Sequence, residues 1–366
     1  MHPLFKCATL LVCLVCGALR AEEIWLLIPD GSKEIVGIAS PQGWRELSEI
    51  GSSPVYGSSN KSIAFISYRA ASATFIVDVF DRLTRRISFS WPAGNENPVR
   101  QLSGASRDLV VGETAVYYLT LKNGGGMTPF VFNELQLSDG AVDQVPLGDL
   151  MSNPRLAAYE GRPVLHSWNG ARAMEFSEAD RKFTDLVFRL DLPQTLSREE
   201  ADERNRVLPA GSYAEFVFLE RVGLFRLSTN GAIQQVLDAS LKPLDRETMV
   251  TAGADASRMQ VFPINSKAEP AIGIITQNSA GATVASIDPV SGHTNWASSV
   301  PSSIVALSAT GSEDGAVYYI DPSASAVSKV SGEGKTVVAI LPLKELSHGR
   351  IVAITQNQAA PTKNIR

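Results

Sequence analysis

Histidine, a common transition-metal ligand and proton donor or acceptor near neutral pH, occurs four times in this chain of 366 residues. No two of the four share the spacing of a metal-binding pair, which disfavours a zinc or iron site held by histidines. His166 follows two apolar residues in "VLHSW". This pattern is more typical of a partly buried, hydrogen-bonded side chain than of a metal ligand. His293 follows Gly292 in a turn, and we expect it to face solvent.

Other chemical signatures are weak. The sequence contains no G-x-S-x-G nucleophile motif, and the glycine-rich segment "KNGGGMTP" (Lys122–Pro129) lacks the Lys-Ser/Thr pair of a phosphate loop. The acidic turns "LSDG" (Leu137–Gly140) and "SEDG" (Ser312–Gly315) offer too few carboxylates in a row for an autonomous calcium site. No catalytic residue, metal ligand or cofactor site is therefore predicted, although residues far apart in sequence could still assemble one.

The N-terminal segment, residues 1–21, has the pattern of a secretory signal peptide. Lys6 gives a weakly positive start, an apolar run and small residues follow, and cleavage after Ala18 or Ala21 is expected. The apolar run is shorter than the roughly 20 residues of a membrane span, so we expect no stable membrane insertion after cleavage. All three cysteines lie in this segment, so the exported chain would have no disulfide. These features predict a periplasmic or secreted protein.

The charge balance disfavours nucleic acid as a partner. Lys6 and Arg20 leave with the signal segment, so the net charge of −5 becomes −7, whereas phosphate binding needs clustered positive charge. The one basic cluster, "RLTRR" at Arg82–Arg86, is interpreted as a solvated strand face.

The elements that would position any site are mostly β-strands, because apolar residues after residue 24 recur with a period of two. Strand–turn–strand patterns recur along the chain, and their turns are rich in residues that favour tight-turn backbone angles. Seven hairpins are marked by the turn residues Gly31, Leu83, Gly140, Pro193, Gly231, Gly292 and Ser325. With the strand-like segments between them they give three or four strands per unit of roughly 40–50 residues, the size of a propeller blade.

We therefore predict an all-β fold, a β-propeller of seven blades with six or eight as alternatives, in one domain over residues 22–366. Tandem β-sandwiches are the alternative architecture, since they also give many short strands. A charged segment near 196–208, "LSREEADERNRVL", interrupts the strand pattern, and Ser197 followed by Glu200 fits the capping box of a short helix. We interpret this segment as an exposed insertion, with partner docking as the alternative.

One hairpin resembles the repeat of a known family. In "ATVASIDPVSGHTNW", the residues Asp288, Ser291, Gly292 and Trp296 fit the tryptophan-docking pattern A-x-D-x-x-T-G-x-x-x-W of quinoprotein-like (PQQ-type) β-propellers. In that family the Asp and the Thr or Ser bond the turn, and the Trp packs between neighbouring blades.

A second stretch, "AVYYIDPSASAVSKV", keeps only Asp321 of this pattern, with Ser325 at the Gly position and Lys329 at the Trp position. Both stretches also resemble the YVTN-type repeats of exported bacterial propellers. The resemblance implies an exported propeller of one of these kinds, without the cofactor, and gives these residues structural roles. The alternative explanation is that any hairpin with an Asp-capped turn has this pattern.

The function predicted from these features is that of a non-enzymatic binding or scaffold propeller of the bacterial envelope, which engages a protein or glycan partner. The alternative is a metal-dependent propeller enzyme, lactonase-, lyase- or hydrolase-like, with its site at the central axis. A quinone-dependent dehydrogenase is a weaker third possibility, because only one docking-like repeat is present.

Overall fold

The structure is a computed structural model. It describes the part of the chain whose ranges are given below. The predicted signal segment 1–21 and the predicted insertion near 196–208 lie outside the described residues. The described residues are 22–99, 109–122, 130–148, 151, 154–159, 161–167, 172–188, 214–219, 222–228, 232–249, 258–266, 268–278, 281–302, 304, 309–342 and 346–356.

Nearly all regular structure in this part of the chain is antiparallel β-sheet, which confirms the predicted fold class. The exception is a short 3₁₀ helix at Leu346–His348. No helix of the described residues is long and apolar enough to cross a membrane.

The strands of the described residues form seven sheets, numbered here in chain order. The first four sheets are: sheet 1, with β1 (Glu22–Asp30), β2 (Lys33–Ser40), β3 (Gly43–Ile50) and the last strand of the chain, β29 (Arg350–Gln356); sheet 2, with β4 (Ser52–Ser58), β5 (Ser62–Arg69), β6 (Thr74–Asp81) and β7 (Arg86–Gly94); sheet 3, with β8 (Asn97–Pro98), β9 (Leu109–Val111), β10 (Ala115–Leu121), β11 (Phe130–Gln136) and β12 (Val142–Pro146); and sheet 4, with β13 (Arg155–Tyr159), β14 (Arg162–His166), β15 (Arg172–Ser177) and β16 (Lys182–Phe188).

The other three sheets are each made of four consecutive strands. They are: sheet 5, with β17 (Ala214–Leu219), β18 (Gly223–Ser228), β19 (Ala232–Leu237) and β20 (Pro243–Met249); sheet 6, with β21 (Arg258–Ile264), β22 (Ala271–Asn278), β23 (Gly281–Ile287) and β24 (Thr294–Val300); and sheet 7, with β25 (Ala309–Gly311), β26 (Val317–Asp321), β27 (Ala326–Ser331) and β28 (Gly334–Ile340).

Sheet 1 joins the two ends of the described chain. β29 pairs antiparallel with β1, so that Glu22 lies opposite Gln356 and Trp25 lies opposite Ala353. β29 thus becomes the innermost strand of sheet 1, followed by β1, β2 and β3. This pairing joins the two ends of the described chain in one sheet and favours a closed propeller over tandem sandwiches, which would not require it.

Seven buried clusters of apolar side chains lie between consecutive sheets. They join sheets 1 and 2, 2 and 3, and so on around the molecule, and the last one joins sheet 7 to sheet 1. Strands near the middle of a sheet are therefore covered on both faces, as the burial of Ile24 to Ile28 in β1 shows. This explains their nearly continuous apolar sequence, in contrast to the exposed outer strand β7.

Turn residues were located correctly where the structure describes them. Gly31, Leu83, Gly140, Gly292 and Ser325 each lie between two paired strands. Their uneven spacing has a topological reason: Gly31 and Ser325 connect the second and third strands of their sheets, whereas Leu83, Gly140 and Gly292 connect the third and fourth. The marked turns therefore belong to two classes, one between the second and third strands of a blade and one between the third and fourth.

Two predicted turns lie outside the described residues, those at Gly231 and Pro193. The strands on either side of Gly231, β18 and β19, pair with each other. The stretch 185–194 before the turn at Pro193 is predicted to be the first strand of a hairpin. Its described residues, 185–188, belong instead to the outer strand of sheet 4, Lys182–Phe188, which pairs back onto β15. It therefore completes one sheet instead of opening the next.

Candidate functional site

The innermost strands, which face the axis of the ring, contain few groups that could do chemistry. Their described sequences are mainly apolar and small, with the charged residues Arg155, Glu215, Arg258 and Arg350. In the described part of the chain, no three His, Cys, Asp or Glu side chains are grouped so that they could hold a metal ion. The described structure thus gives no support to a metal site at the axis.

The chemistry-bearing side chains gather instead at one end of the ring. In a four-stranded meander, the connection between strands one and two and the connection between strands three and four lie at the same end. We call this end the upper face. In sheet 2 it includes residues 59–61 and 82–85, and in sheet 1 it includes residues 41–42 together with the first residues of β1 and the last of β29.

Arg82, on the upper face of sheet 2, reaches across to the last strand of the chain. Its Nη1 donates to the carbonyl of Ser59 at 2.6 Å, its Nε donates to Oγ1 of Thr355 at 3.0 Å, and its Nη2 donates to the carbonyl of Ile354. Burial lowers the pKa of this guanidinium. The interpretation of the basic cluster as a solvated strand face is wrong for Arg82, because the side chain points into the contact between sheets 1 and 2.

Arg85, three residues later, binds the first strand in the same way. Its Nε donates to Oε2 of Glu23 at 2.9 Å, and its Nη2 donates to Oε1 of the same carboxylate. Glu23 is buried and belongs to β1. Arg85 adopts a positive φ of 59° at the end of its turn. The two arginines of sheet 2 therefore hold β29 and β1, the two strands that close the ring. We call Arg82 and Arg85 the arginine clamp.

An open groove of 230 Å³ lies beside this clamp at the upper face. One wall is the turn and first residues of β3 in sheet 1, and the other is Arg85 of sheet 2. The lining residues are Glu23, Ile38, Ser40, Gln42, Gly43, Trp44, Arg45 and Arg85.

Arg45 gives the groove its charge. Its side chain is exposed, and within the described residues no hydrogen bond or ion pair engages its guanidinium. Glu23 and Arg85 neutralise each other, so the three ionisable groups of the lining carry a net positive charge. No pattern in the sequence predicts this site, because its residues come from β1, the hairpin of β2 and β3, and a turn of sheet 2.

Leu83 belongs to the same turn as the arginine clamp, on the upper face of sheet 2. It is 85% exposed, the most exposed of the large apolar side chains in the described residues. Ile87 and Phe89 of the adjoining outer strand are also exposed. Ile87 lies opposite Phe80, on the face of sheet 2 that packs against sheet 1, whereas Phe89 lies opposite Val79, on the face toward sheet 3. We call Leu83 and Ile87 the apolar rim, because they flank the arginine clamp along the chain and β7 has no charged residue after Arg86.

Two polar networks occupy equivalent places elsewhere on the upper face. In sheet 7, Tyr318 donates to Glu22 of sheet 1, and Lys329 bonds both Glu22 at 3.3 Å and Asp314 at 2.6 Å. Burial opposes the charge on Lys329, but the two carboxylates outweigh it and raise the pKa of its ammonium group. In sheet 3, Tyr117 likewise donates to Glu178 of sheet 4.

The similar sequences "AVYYL" (115–119) and "AVYYI" (316–320) put these two tyrosines on the second strand of their sheets. Next to Tyr117, Glu134 accepts from Gln136 at 2.9 Å and pairs with Arg181 at 3.0 Å. Burial, partly offset by Arg181, raises the pKa of Glu134. All these groups have partners between neighbouring sheets, so we assign them to blade packing.

The predicted repeat residues around Asp288 lie in the turn between β23 and β24. The Asp288 carboxylate accepts from the backbone of Val290 at 2.8 Å and from the hydroxyl of Ser291 at 2.7 Å. Burial opposes ionisation, but these hydrogen bonds outweigh it and lower the pKa of Asp288. Gly292 has a φ of +74°, which favours glycine. Trp296 is partly buried against the cluster between sheets 6 and 7.

Asp321 also caps a turn, but not the equivalent one. Its carboxylate accepts from the hydroxyl of Ser323 at 2.5 Å and from the backbone of Ala324 at 3.3 Å. This turn connects the second and third strands of sheet 7, whereas the turn of Asp288 connects the third and fourth strands of sheet 6. The likeness of the two stretches therefore does not mark equivalent positions of a blade.

A better counterpart of Asp288 lies in sheet 2. Asp81 accepts from the backbone of Thr84 at 2.6 Å in the turn between the third and fourth strands, and Arg85 occupies the positive-φ position held by Gly292 in sheet 6. The spacing D-x-x-T in "DRLTRR" matches the repeat pattern and could have predicted this turn. The match was missed because Arg85 stands where the pattern has glycine.

The tryptophans after these two turns have equivalent neighbours. Trp91 of sheet 2 lies so close to Gly140 of sheet 3 that a Cβ there would stand 2.5 Å from Cδ2 of the ring. Trp296 of sheet 6 contacts Gly332 of sheet 7, where a Cβ would stand 3.6 Å from its Cβ and Cδ1. Both glycines lie in turns between the third and fourth strands of the following sheet.

His166 is buried more deeply than the predicted partly buried position, and His293 faces solvent as predicted. His166 is 1% exposed, with Nδ1 3.2 Å from the carbonyl of Ser167, and burial, with a smaller effect of Arg155, lowers its pKa to about 3. His293 is exposed in its turn. A neutral imidazole sealed in the core is a packing group and has no access to a substrate.

No protein-family model matches the chain, and no curated protein matches it. Solved structures do. AztD of Citrobacter koseri has a TM-score of 0.49 at 12% identity, over 91% of this chain and 97% of AztD. TolB of Acinetobacter baumannii has a TM-score of 0.42 at 13% identity, over 77% of this chain and 64% of TolB.

A structure from an analysis of two prolyl endopeptidases has a TM-score of 0.52 at 13% identity, over 88% of this chain and 48% of that protein. At such identities the likeness is one of fold alone. The likeness to the prolyl endopeptidase structure concerns the fold and says nothing about a ligand or an activity.

Proposed function

We propose that this chain is an exported, non-enzymatic binding propeller that holds a protein partner at the upper face of sheets 1 and 2. The observation that carries the proposal is the groove beside the arginine clamp, with its unpaired Arg45 and its apolar rim. Protein-binding surfaces concentrate their affinity in Trp, Tyr and Arg side chains next to apolar contacts. Arg45 lines the groove and Leu83 is the exposed apolar residue of the turn that contains Arg85. Trp44 lines the groove at its edge and packs on the face of sheet 1 toward sheet 7.

The domain organisation and the location belong to the same proposal. Residues 22–366 would form one propeller domain, since β1 pairs with β29 and the buried clusters run from sheet to sheet without a break in the described residues. The signal-like segment 1–21 would direct the chain to the bacterial periplasm or beyond.

We also infer that the blades dock by a tryptophan of the quinoprotein-like kind, without that family's cofactor. Trp91 on Gly140 and Trp296 on Gly332 support this, because both place the ring on the next sheet at the same connection. The YVTN-like interpretation has less support, since the turn of Asp321 is not equivalent to that of Asp288.

Site-specific photo-crosslinking tests the binding function. A photoreactive phenylalanine analogue replaces Leu83 in the full chain, which is expressed with its own N-terminal segment in envelope-containing cells. We expect one discrete adduct from the periplasmic or extracellular fraction, whose protein component is identified by mass spectrometry and then binds the purified propeller.

The matched control places the same analogue at Ala71, which is exposed in the turn at the other end of sheet 2. An equal adduct at both positions, or none at Leu83, would refute the assignment of the surface. Crosslinking to a polysaccharide, seen as a smeared adduct sensitive to glycosidases, would replace the protein partner by a glycan.

A further inference from the structure

We infer that the groove beside the arginine clamp receives a carboxylate group of the partner, either an Asp or Glu side chain or a C-terminal carboxylate. This inference rests on the proposed function and specifies what the site binds. Its basis is the number and placement of unpaired guanidinium donors in the groove.

Arg45 supplies most of these donors. A guanidinium has five N–H groups in a planar fork that fits the two oxygens of a carboxylate. Arg45 belongs to the wall formed by β3 of sheet 1, whereas Arg85 forms the wall of sheet 2, and none of the described residues pairs with Arg45. Since the chain as a whole has a net charge of −5, a positive groove is a local departure from the prevailing sign.

Arg85 supplies a further donor in a fixed position. Its Nε and Nη2 are occupied by Glu23, whereas no contact with a described residue engages Nη1. The bidentate pair with Glu23 fixes the guanidinium plane, so that little side-chain entropy is lost when Nη1 donates to a ligand. A carboxylate between the two arginines would therefore meet one adaptable donor group and one preorganised donor.

The size of the groove agrees with a single group and not a whole small molecule. Its 230 Å³ lies below the roughly 300–1,000 Å³ of pockets that enclose a complete small ligand. The groove is also open, so the rest of a larger partner can extend toward the apolar rim formed by Leu83 and Ile87. One acidic group beside apolar residues is the partner chemistry that this surface fits.

Titration with paired small probes tests the inference on the full chain. The probes are N-acetylglutamate α-amide against N-acetylglutamine α-amide, acetyl-Leu-Ala with a free C-terminus against its amide, and glucuronate against glucose. Binding is followed by the ¹⁵N–¹H signals of the arginine Nε groups. We expect a Kd of about 1 mM for the carboxylate probes, shifts of the Arg45 and Arg85 signals, and weaker binding at higher salt.

The variant Arg45→Gln should weaken binding of the carboxylate probes at least tenfold. Arg86→Gln is the matched control, because it removes one exposed arginine of the neighbouring turn that does not line the groove, and it should change the Kd less than twofold. Equal thermal unfolding of the two variants shows that neither effect is a loss of folding.

The result separates this inference from the proposed function. If acid and amide probes bind alike, or if Arg45→Gln binds as wild type does, the carboxylate assignment is wrong even where the crosslink at Leu83 identifies a partner. If the carboxylate probes bind but no partner is crosslinked, the groove is a small-anion site and the protein-binding function is wrong. Preference for glucuronate over the acidic peptides would assign the carboxylate to a glycan.

Discussion

At the scale of single residues, two glycines in turns separate the effect of backbone angle from that of packing. Gly31 and Gly140 have φ values of +60° and +74°. A Cβ on Gly31 would meet nothing within 4 Å, whereas one on Gly140 would stand 2.5 Å from Trp91. We expect Gly31→Ala to lower the free energy of unfolding by about 1–2 kcal/mol, from the left-handed conformation alone.

Gly140→Ala should cost about 1–3 kcal/mol more than that, because the ring of Trp91 must also move. Urea unfolding of both variants measures the difference. Equal losses would show that Trp91 moves freely and does not dock sheet 2 onto sheet 3.

His166 predicts a pH dependence of stability. Its folded-state pKa of about 3 lies below the ordinary value of 6.5. Between these two pH values, His166 is protonated in the unfolded chain and neutral in the folded chain. The free energy of unfolding should therefore fall as pH decreases below 6.5, by up to roughly 1.4 kcal/mol per pH unit from this group, until the folded pKa is reached.

Urea unfolding at several pH values between 5 and 6.5 measures this slope, above most carboxylate titrations. His166→Gln should flatten it by about one proton, and His293→Gln, at an exposed turn position, should leave it unchanged. A slope that persists in His166→Gln would assign the proton to another group.

Residue roles were predictable from the sequence where chemistry and turn lie close together in the chain. Asp288, Ser291 and Gly292 belong to one tight turn, so their spacing contains most of its geometry. The groove was not predictable, since Glu23, Arg45 and Arg85 come from two sheets whose contact depends on ring closure. The solvated interpretation of Arg82–Arg86 failed for Arg82 and Arg85 for the same reason, because their partners are strands at opposite ends of the sequence, whereas Arg86 is exposed.

At the scale of elements, Arg82 should act on β29 more than on the rest of the molecule. In Arg82→Gln, three hydrogen bonds are lost, and two of them hold β29. Hydrogen bonds from charged donors are worth about 1.5–3 kcal/mol, and the burial of the guanidinium offsets part of the sum. We expect a loss of about 2 kcal/mol in the free energy of unfolding.

Hydrogen exchange distinguishes a local effect from a general one. Amides of Arg350–Gln356 should exchange faster in Arg82→Gln, while those of sheets 4 and 5 should change little. Arg86→Gln, with its exposed side chain, is the control and should leave both regions unchanged. Uniform acceleration over all sheets would show that Arg82 stabilises the ring without any preference for its last strand.

Element order was predictable to the level of strands and turns, but not to their grouping. Alternating sequence locates a hairpin without revealing whether it joins the second and third strands or the third and fourth. The buried second strands, such as Ala115–Leu121, are nearly continuous in apolar character because sheets pack on both sides of them. This difference in apolar character between inner and outer strands could have predicted where each blade begins and ends.

At the scale of the whole molecule, closure of the ring depends on the pairing of β1 with β29. Glu22 and Gln356 lie directly opposite each other, so the two ends of the described chain meet at one edge of the upper face. A chain that ends at Gly349 would expose the inner edge of β1 and remove Ile351 from the cluster between sheets 7 and 1. Unpaired strand edges and uncovered apolar faces promote association between chains.

We therefore expect the chain truncated after Gly349 to unfold at a lower temperature and to self-associate, as measured by light scattering after size-exclusion chromatography. Truncation after Gln356 keeps β29 and is the control. A circular permutant gives the complementary test, with residue 356 joined to residue 22 by a short Gly-Ser linker and new ends in the exposed turn 70–73.

The permutant keeps every strand pair and every buried cluster described above, and a few residues suffice to link two paired strand ends. It should thus keep the oligomeric state of the original chain and unfold in a single transition at a similar temperature. A permutant that fails to fold although the truncated chain stays monomeric and stable would show that closure through β1 and β29 is not what stabilises the ring.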